Sequence, residues 1–278
     1  MIEKLMMTVL VDNREGKNGL ETEHGFSVWI EAGDRRILFD AGQTSCSLRN
    51  AARLGIDVTT ADALVVSHGH FDHTGCISQL LEVNDHCAIY AHPGIATPRY
   101  SLQADGAMKP IGISNATRRA ISAHEKSVIS VEKPVLLYGG IGCTGAIPRL
   151  TAYEDTGGQF FLDMQASVAD PVTDDMAMWF ATREGTVVLT GCGHSGIVNT
   201  IGYVRSLTGN APVRSVIGGF HLLHATEQRL EETCRYCSET VSEKIIPCHC
   251  TGDDAVNYMK ARLPGKVDHG YTGMVIMS

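Results

Sequence analysis

Long hydrophobic runs are missing from this chain: no segment reaches the ~20 apolar residues that a membrane-spanning helix needs, so no membrane partner is expected. Basic runs are missing too. The balance of 23 Lys+Arg against 31 Asp+Glu gives a formal charge of −8, with no phosphate-tracking surface, so no nucleic-acid partner is expected. The first residues, Met1–Met7, contain no apolar signal region, which points to a cytoplasmic protein. Aromatics are sparse at 6%, and the 9 prolines and 29 glycines follow ordinary usage, which excludes collagenous or low-complexity chains. What is present is 44% hydrophobic residue content spread over 278 positions, enough for a sizeable core and against disorder. The 9 cysteines are scattered, odd in number and in a chain too long to need disulfides, so they read as core residues, metal ligands or reactive thiols.

No internal repeat or linker-like shift in composition interrupts the chain, which reads as a single domain over 1–278. Strands are expected at Met7–Asp12, Phe26–Glu31 and Arg36–Asp40, the last two joined as a hairpin by Gly33-Asp34. Helices are expected at 45–54 and 77–83, with strands at 63–66 and 87–91. Residues 97–170 have weak periodicity and read as an insertion covering the substrate. Strands at 176–180, 186–190, 215–217, 244–247 and 274–276 then alternate with helices at 197–207, 227–242 and 254–262, the pattern of an α/β layer sandwich.

The strongest signal is Ser67-His68-Gly69-His70-Phe71-Asp72-His73-Thr74-Gly75, directly after an apolar strand. Buried imidazoles without partners are costly and repel one another once protonated, so packing does not explain three histidines and an aspartate within six residues. Nitrogen ligands with one carboxylate suit Zn²⁺ or a similar borderline metal. The segment resembles the His-x-His-x-Asp-His motif of the metallo-β-lactamase superfamily. That resemblance implies a four-layer αββα sandwich with one or two metals at the edge of its two sheets. It implies His68 and His70 as ligands of one metal and Asp72 and His73 of the other. His70, where flavodiiron oxidases of the superfamily carry Glu, implies zinc-type hydrolysis over redox iron, with Fe or Mn as alternative metals.

Further landmarks follow in order. Asp40, in Leu38-Phe39-Asp40-Ala41-Gly42, resembles the residue that supports the metal loop from behind, or is a turn cap. His194, in Gly191-Cys192-Gly193-His194, and His249, in Pro247-Cys248-His249-Cys250, are the third-ligand candidates of the two metals. Most of the superfamily has a bridging Asp where this chain has Cys192, which is a thiolate substitute or a small core residue. Glu23–Ser27, Gly142–Arg149, Asp174–Ala177, Gly193–Asn199, Gly218–Leu222 and His249–Gly252 together resemble the subfamily labelled 7,8-dihydropterin-6-yl-methyl-4-(β-D-ribofuranosyl)aminobenzene 5′-phosphate synthase. The resemblance implies a metal-dependent hydrolase of an anionic small molecule or, by the label, a pterin-related transferase. A non-enzymatic metal sensor and a redox iron protein are the remaining rivals.

Asp72 and His221 are the catalytic candidates, the latter as a general acid or a donor to developing charge, or else as a supporting histidine. Arg149 is read as a bidentate clamp for a phosphate or carboxylate, and His24 as a second substrate contact; either is otherwise a surface residue. Cys234-x-x-Cys237 sits in an expected helix without a second pair, so it reads as packing, and no four-cysteine iron–sulfur pattern exists. Cys248 and Cys250 are expected to point away from His249 into the core. Self-association is left open by the sequence.

Overall fold

Alternation of side chains along short strands builds this molecule. The computed structural model describes residues 1–16 and 19–278. The first half runs β1 (Leu5–Val11), β2 (Ser27–Ala32), β3 (Arg35–Phe39), α1 (Cys46–Arg53), β4 (Ala63–Val66), the single turn α2 (Phe71–Thr74), α3 (Ile77–Val83), β5 (Ala88–Ala91), β6 (Tyr100–Leu102), β7 (Met108–Pro110) and α4 (Asn115–Ala123). It continues through β8 (Val128–Ser130), β9 (Val135–Tyr138), β10 (Ile141–Cys143), β11 (Phe160–Phe161), β12 (Ala177–Thr182) and β13 (Gly185–Thr190). The remainder is α5 (Ile197–Leu207), β14 (Val213–Gly219), α6 (Glu227–Thr240), β15 (Val241–Cys248), α7 (Asp253–Arg262) and β16 (Val275–Met277).

Two sheets face each other, in the orders β16-β1-β2-β3-β4-β5-β8 and β15-β14-β13-β12-β10-β9. The two-residue periodicity of a strand sends Val28, Ile30, Ile37, Phe39, Val65, Val187, Leu189 and Ile217 into the core between the sheets. The intervening Trp29, Leu38, Leu64 and Val66 pack outward, with Cys46 and Ala51 of α1 and Ile77 and Leu80 of α3. On the far side Val188 and Val216 pack with Ile197 and Ile201 of α5, Cys234 and Cys237 of α6 and Val256 and Met259 of α7. The result is the expected four-layer αββα sandwich. Gly33-Asp34 closes the β2–β3 hairpin, in which Ala32 pairs with Arg35 and Gly33 adopts φ +64°. Among the described residues, no helix is long and apolar enough to cross a membrane.

The stretch 97–170 departs from its reading as one insertion. β8 joins the first sheet beside β5, and β9 and β10 join the second beside β12. Only β6, β7 and β11 form a separate three-stranded sheet over the site edge. Strands of two to four residues are too short to display a period, which is why this scaffold was hidden. The helix expected at 227–242 ends at Thr240, where Val241 begins β15.

Candidate metal centre

β3 to β5 run parallel in one sheet and β13 to β15 in the other, so their C-terminal ends gather at one edge. The turn after β3 carries Asp40, and the turn after β4 carries Ser67–His73. Those after β13, β14 and β15 carry Cys192 with His194, His221, and His249. Asp40, His221 and His249 hold φ values of +56°, +46° and +48°, a left-handed conformation uncommon outside glycine. Strain of this kind concentrates where side chains must be aimed.

His68, His70 and His194 form the first group. Their ring centroids lie 4.5–4.8 Å apart, and each Nε2 is buried without a hydrogen-bond partner. The network settles two tautomers. Ser67 donates its hydroxyl to Asp40 Oδ2 at 2.7 Å, so its oxygen accepts from His68 Nδ1 at 2.9 Å. His194 Nδ1 donates to the Thr156 carbonyl at 2.8 Å. Both rings therefore keep a lone pair on Nε2. Burial, followed by repulsion from His73 on His68 and from His221 on His194, holds both well below the usual imidazole range, and burial lowers His70 to about 3.

Asp72, His73 and His249 form the second. Asp72 Oδ2 lies 3.2 Å from His249 Nε2 and 3.7 Å from His73 Nε2, and the two Nε2 atoms are 3.3 Å apart. Ligand bonds of 2.0–2.1 Å to a tetrahedral ion imply edges of about 3.3 Å, so these donors fit one cation. His73 Nδ1 donates to Asp40 Oδ2 at 2.7 Å and His249 Nδ1 to Asn13 Oδ1 at 2.8 Å, again turning both Nε2 atoms to the centre. Burial opposes charge on His73, but the Asp40 and Asp72 carboxylates prevail and raise it to about 9. Burial likewise opposes charge on Asp72, yet the nearby His73, a hydrogen bond from His24 and the neighbouring His249 hold its carboxyl well below the usual range. Asp40 thus supports both groups, through His73 directly and through Ser67 to His68.

Cys192 stands between them. Its Sγ is 3.1 Å from His73 Nε2 and falls within 4.8 Å of the ligand atoms of both His68–His194 and His73–His249. Gly191 makes this approach feasible, since a Cβ there would sit 2.1 Å from Ser67 Oγ.

The remaining expected residues separate. His24 lies at the rim with its side chain 58% exposed and Nε2 3.2 Å from Asp72 Oδ2. His221 lines the cavity, its ring 4.5 Å from that of His194, and burial lowers it to about 3. Arg149 is a correction. Its guanidinium donates to the His194 carbonyl at 2.6 Å and the Pro171 carbonyl at 2.5 Å, so it braces the ligand loop and does not line the cavity. Cys250 is a second correction. β15 stops at Cys248, and the turn at His249 leaves Cys248 in the core but brings Cys250 into the cavity lining.

Several supports lay beyond sequence reasoning. Asp174 Oδ2 accepts from Gly69 N at 2.8 Å while Arg99, itself buried, grips the same carboxylate at 2.6 and 2.8 Å. Asp175, raised to about 6 by burial, accepts from Ser195 N at 2.8 Å. The Asp-Asp pair therefore pins both ligand loops, a role its adjacency in the sequence marks without revealing. Glu154 caps the start of α5 by accepting from Val198 N and Asn199 N, which anchors the loop carrying Thr156.

The donors open into a cavity of about 1290 Å³. Phe160 of the small sheet roofs it, its ring 5.2–5.9 Å from those of His70, His194 and His221. Lys109 sits 5.0 Å from the Phe71 ring centroid, and Arg14 and His269 line the mouth.

Residues 20–195 match the family profile of the metallo-beta-lactamase superfamily. The chain belongs to that superfamily. Metallo-beta-lactamase proteins generally bind metals, and the His, Asp and Cys donors assembled here suit that property. An uncharacterized protein of Methanocaldococcus jannaschii is 33% identical over 98% of this chain and 99% of its own. The 7,8-dihydropterin-6-methyl-4-(beta-D-ribofuranosyl)-aminobenzene-5′-phosphate synthase of the same organism is 28% identical over 99% and 97%. A crystal structure of Tm1679, a metal-dependent hydrolase of the beta-lactamase superfamily, superimposes with a TM-score of 0.81 at 28% identity, covering 98% of each chain.

Proposed function

We propose that this metallo-beta-lactamase chain is a cytoplasmic hydrolase of anionic small molecules, with one or two zinc-type cations held by His68, His70 and His194 and by Asp72, His73 and His249. The observation that carries the reading is the set of three buried, unpartnered Nε2 atoms on His68, His70 and His194. Buried polar atoms are rarely left unpaired, and three converging ones mark a place built for a cation. Imidazole, carboxylate and thiol together favour zinc, with iron or manganese as alternatives. When bound, such cations supply Lewis acidity and acidify water toward neutral pH.

The chain's own residues do the rest. His73, with His24 and His249, holds Asp72 as a carboxylate at the inner wall. Lys109, Arg14 and His269 offer donors to an anionic group entering the cavity, and the Phe71 and Phe160 rings offer apolar faces to the body of the molecule. At about 1290 Å³ the cavity exceeds the usual ~300–1,000 Å³ of small-molecule sites, which suits a large substrate. Neither nucleic acid nor membrane is part of this reading.

The test is metal analysis of protein purified without added metal, followed by assay on phosphodiesters, phosphomonoesters, lactones and thioesters. Bound cation with turnover of at least one class, both abolished by chelation, is expected. Full turnover after chelation would sink the proposal. A second reading, synthase chemistry on a ribose 5′-phosphate, is favoured by the 28% identical synthase aligned over nearly the whole chain. Mass spectrometry of products from a dihydropterin carrying a diphosphate leaving group on its 6-methyl carbon and an aryl ribofuranoside phosphate separates the two: a coupled product with released diphosphate supports the synthase, water-cleaved products the hydrolase.

A further inference from the structure

Cys192 belongs to a third constellation besides the two histidine groups. Its Sγ, a nitrogen of His221 and Cys250 Sγ all lie within 4.8 Å of one another. Three separate strand ends supply these atoms, since Cys192 follows β13, His221 follows β14 and Cys250 follows β15.

The backbone is shaped to bring them together. Gly219 has no side chain where a Cβ would fall 2.7 Å from Cys250 Sγ and 3.1 Å from Cys192 Cα. Any larger residue would displace the second sulfur from the first. His221 is held at φ +46° and lies against Gly157, where a Cβ would meet its Nδ1 at 2.1 Å. That Nδ1 is buried and has no hydrogen-bond partner. Cys250 Sγ meets the Cys192 carbonyl at 3.5 Å, whereas the neighbouring Cys248 is turned into the core and bonded to the Ile246 carbonyl. Both sulfurs of the constellation line the cavity, so an ion entering it can reach them.

We propose that Cys192, His221 and Cys250 form a third cation locus, selective for thiophilic ions such as Cd²⁺, Cu⁺ or additional Zn²⁺, which shares the Cys192 sulfur with the two histidine groups. Two thiolates and an imidazole prefer softer ions than the nitrogen and oxygen donors of Asp72, His73 and His249. Binding of a divalent ion replaces the two thiol protons, which leave to solvent, with no change of oxidation state. Donor softness therefore rises across one cavity from the Asp72 side to the Cys250 side. The locus rests on the cation-centre reading only through Cys192.

The experiment titrates metal-stripped, full-length protein with Cd²⁺, following thiolate-to-cadmium charge-transfer absorption, with cadmium per chain measured by mass spectrometry. Wild type should show absorption from two thiolates. Cys250→Ser should lose about half of that band and one ion per chain, and His221→Ala should weaken cadmium binding at least roughly tenfold, the lower end of what losing even an outer partner costs a metal site. An unchanged band and stoichiometry in Cys250→Ser overturns the locus. His68→Ala serves as the separate arm: undiminished zinc content there defeats the histidine centre, whatever Cys250 does. If a cysteine variant fails to fold, alkylation mapping of wild type decides. Cys250 should react in stripped protein and be protected by Cd²⁺, and equal labelling with and without the ion overturns the proposal.

Discussion

The two histidine groups share one cavity yet differ in electrostatics. His68, His70 and His194 have no carboxylate among them and are kept neutral by burial and by repulsion from surrounding histidines. His73 and His249 face Asp72, and His73 also faces Asp40, so charge is retained in their midst. The first group therefore presents ready lone pairs, while a cation entering the second would compete with the proton that Asp40 and Asp72 favour on His73. Cation binding should release protons mainly from the second group. Neutral donors and charged donors side by side teach that the two places differ in pH response although their residue types look alike.

The largest expected effect comes from breaking the first group. His68→Ala should lose at least one equivalent of metal and nearly all hydrolytic turnover, measured by metal analysis and initial rates. Normal values for both would remove His68 from the site.

Breaking the support of the second group is the next largest. Asp40→Asn removes the acceptor of His73 Nδ1 and of Ser67. Metal affinity should fall by ~10–100-fold, the cost of losing an outer hydrogen-bond partner. Competition with a chromophoric chelator reads this, and an unchanged affinity would separate Asp40 from the centre.

Acid and base should reveal the two groups separately in chelated protein. Burial lowers His70 and His221 to about 3, against about 6.5 in the unfolded chain. Between these values the unfolded state binds more protons, so stability falls as pH drops below about 6.5. His73, raised to about 9 against its own burial, contributes in full below about 6.5 and loses that contribution as pH rises through 9. Denaturant midpoints should therefore peak near neutral pH. A flat profile on the acid side would contradict the neutral, buried state of the first group.

The smallest effect is assigned to Arg149. Arg149→Ala removes two hydrogen bonds to carbonyls, costing about 1–3 kcal/mol of stability. The KM for anionic substrates should stay unchanged, whereas a several-fold rise would restore the clamp reading.

The sequence made six of the gathered donors legible because His68, His70, Asp72 and His73 lie in one turn after an apolar strand, and Cys192 precedes His194 at a glycine-rich strand end. The layer order was equally legible in the alternation of Val28, Trp29 and Ile30 and its counterparts. What stayed hidden depends on long-range contact. Asn13 orients His249 across 236 positions, and no local pattern announces that. Arg149 has the chemistry of an anion clamp, but the carbonyls that occupy it come from the folded loops around His194 and Pro171. Cys250 was assigned to the core on the assumption that β15 continues, and the left-handed turn at His249 reverses the direction of its side chain.

The pairing of the β1 end with the last ligand has a consequence for biosynthesis. Asp12 accepts from His249 N at 2.8 Å across 237 positions, and Asn13 holds the ring of the same residue. Closing so long a loop is slow and comes late in folding. A chain emerging from the ribosome therefore brings Asp72 and His73 to His249 only after residue 249 has left the exit tunnel.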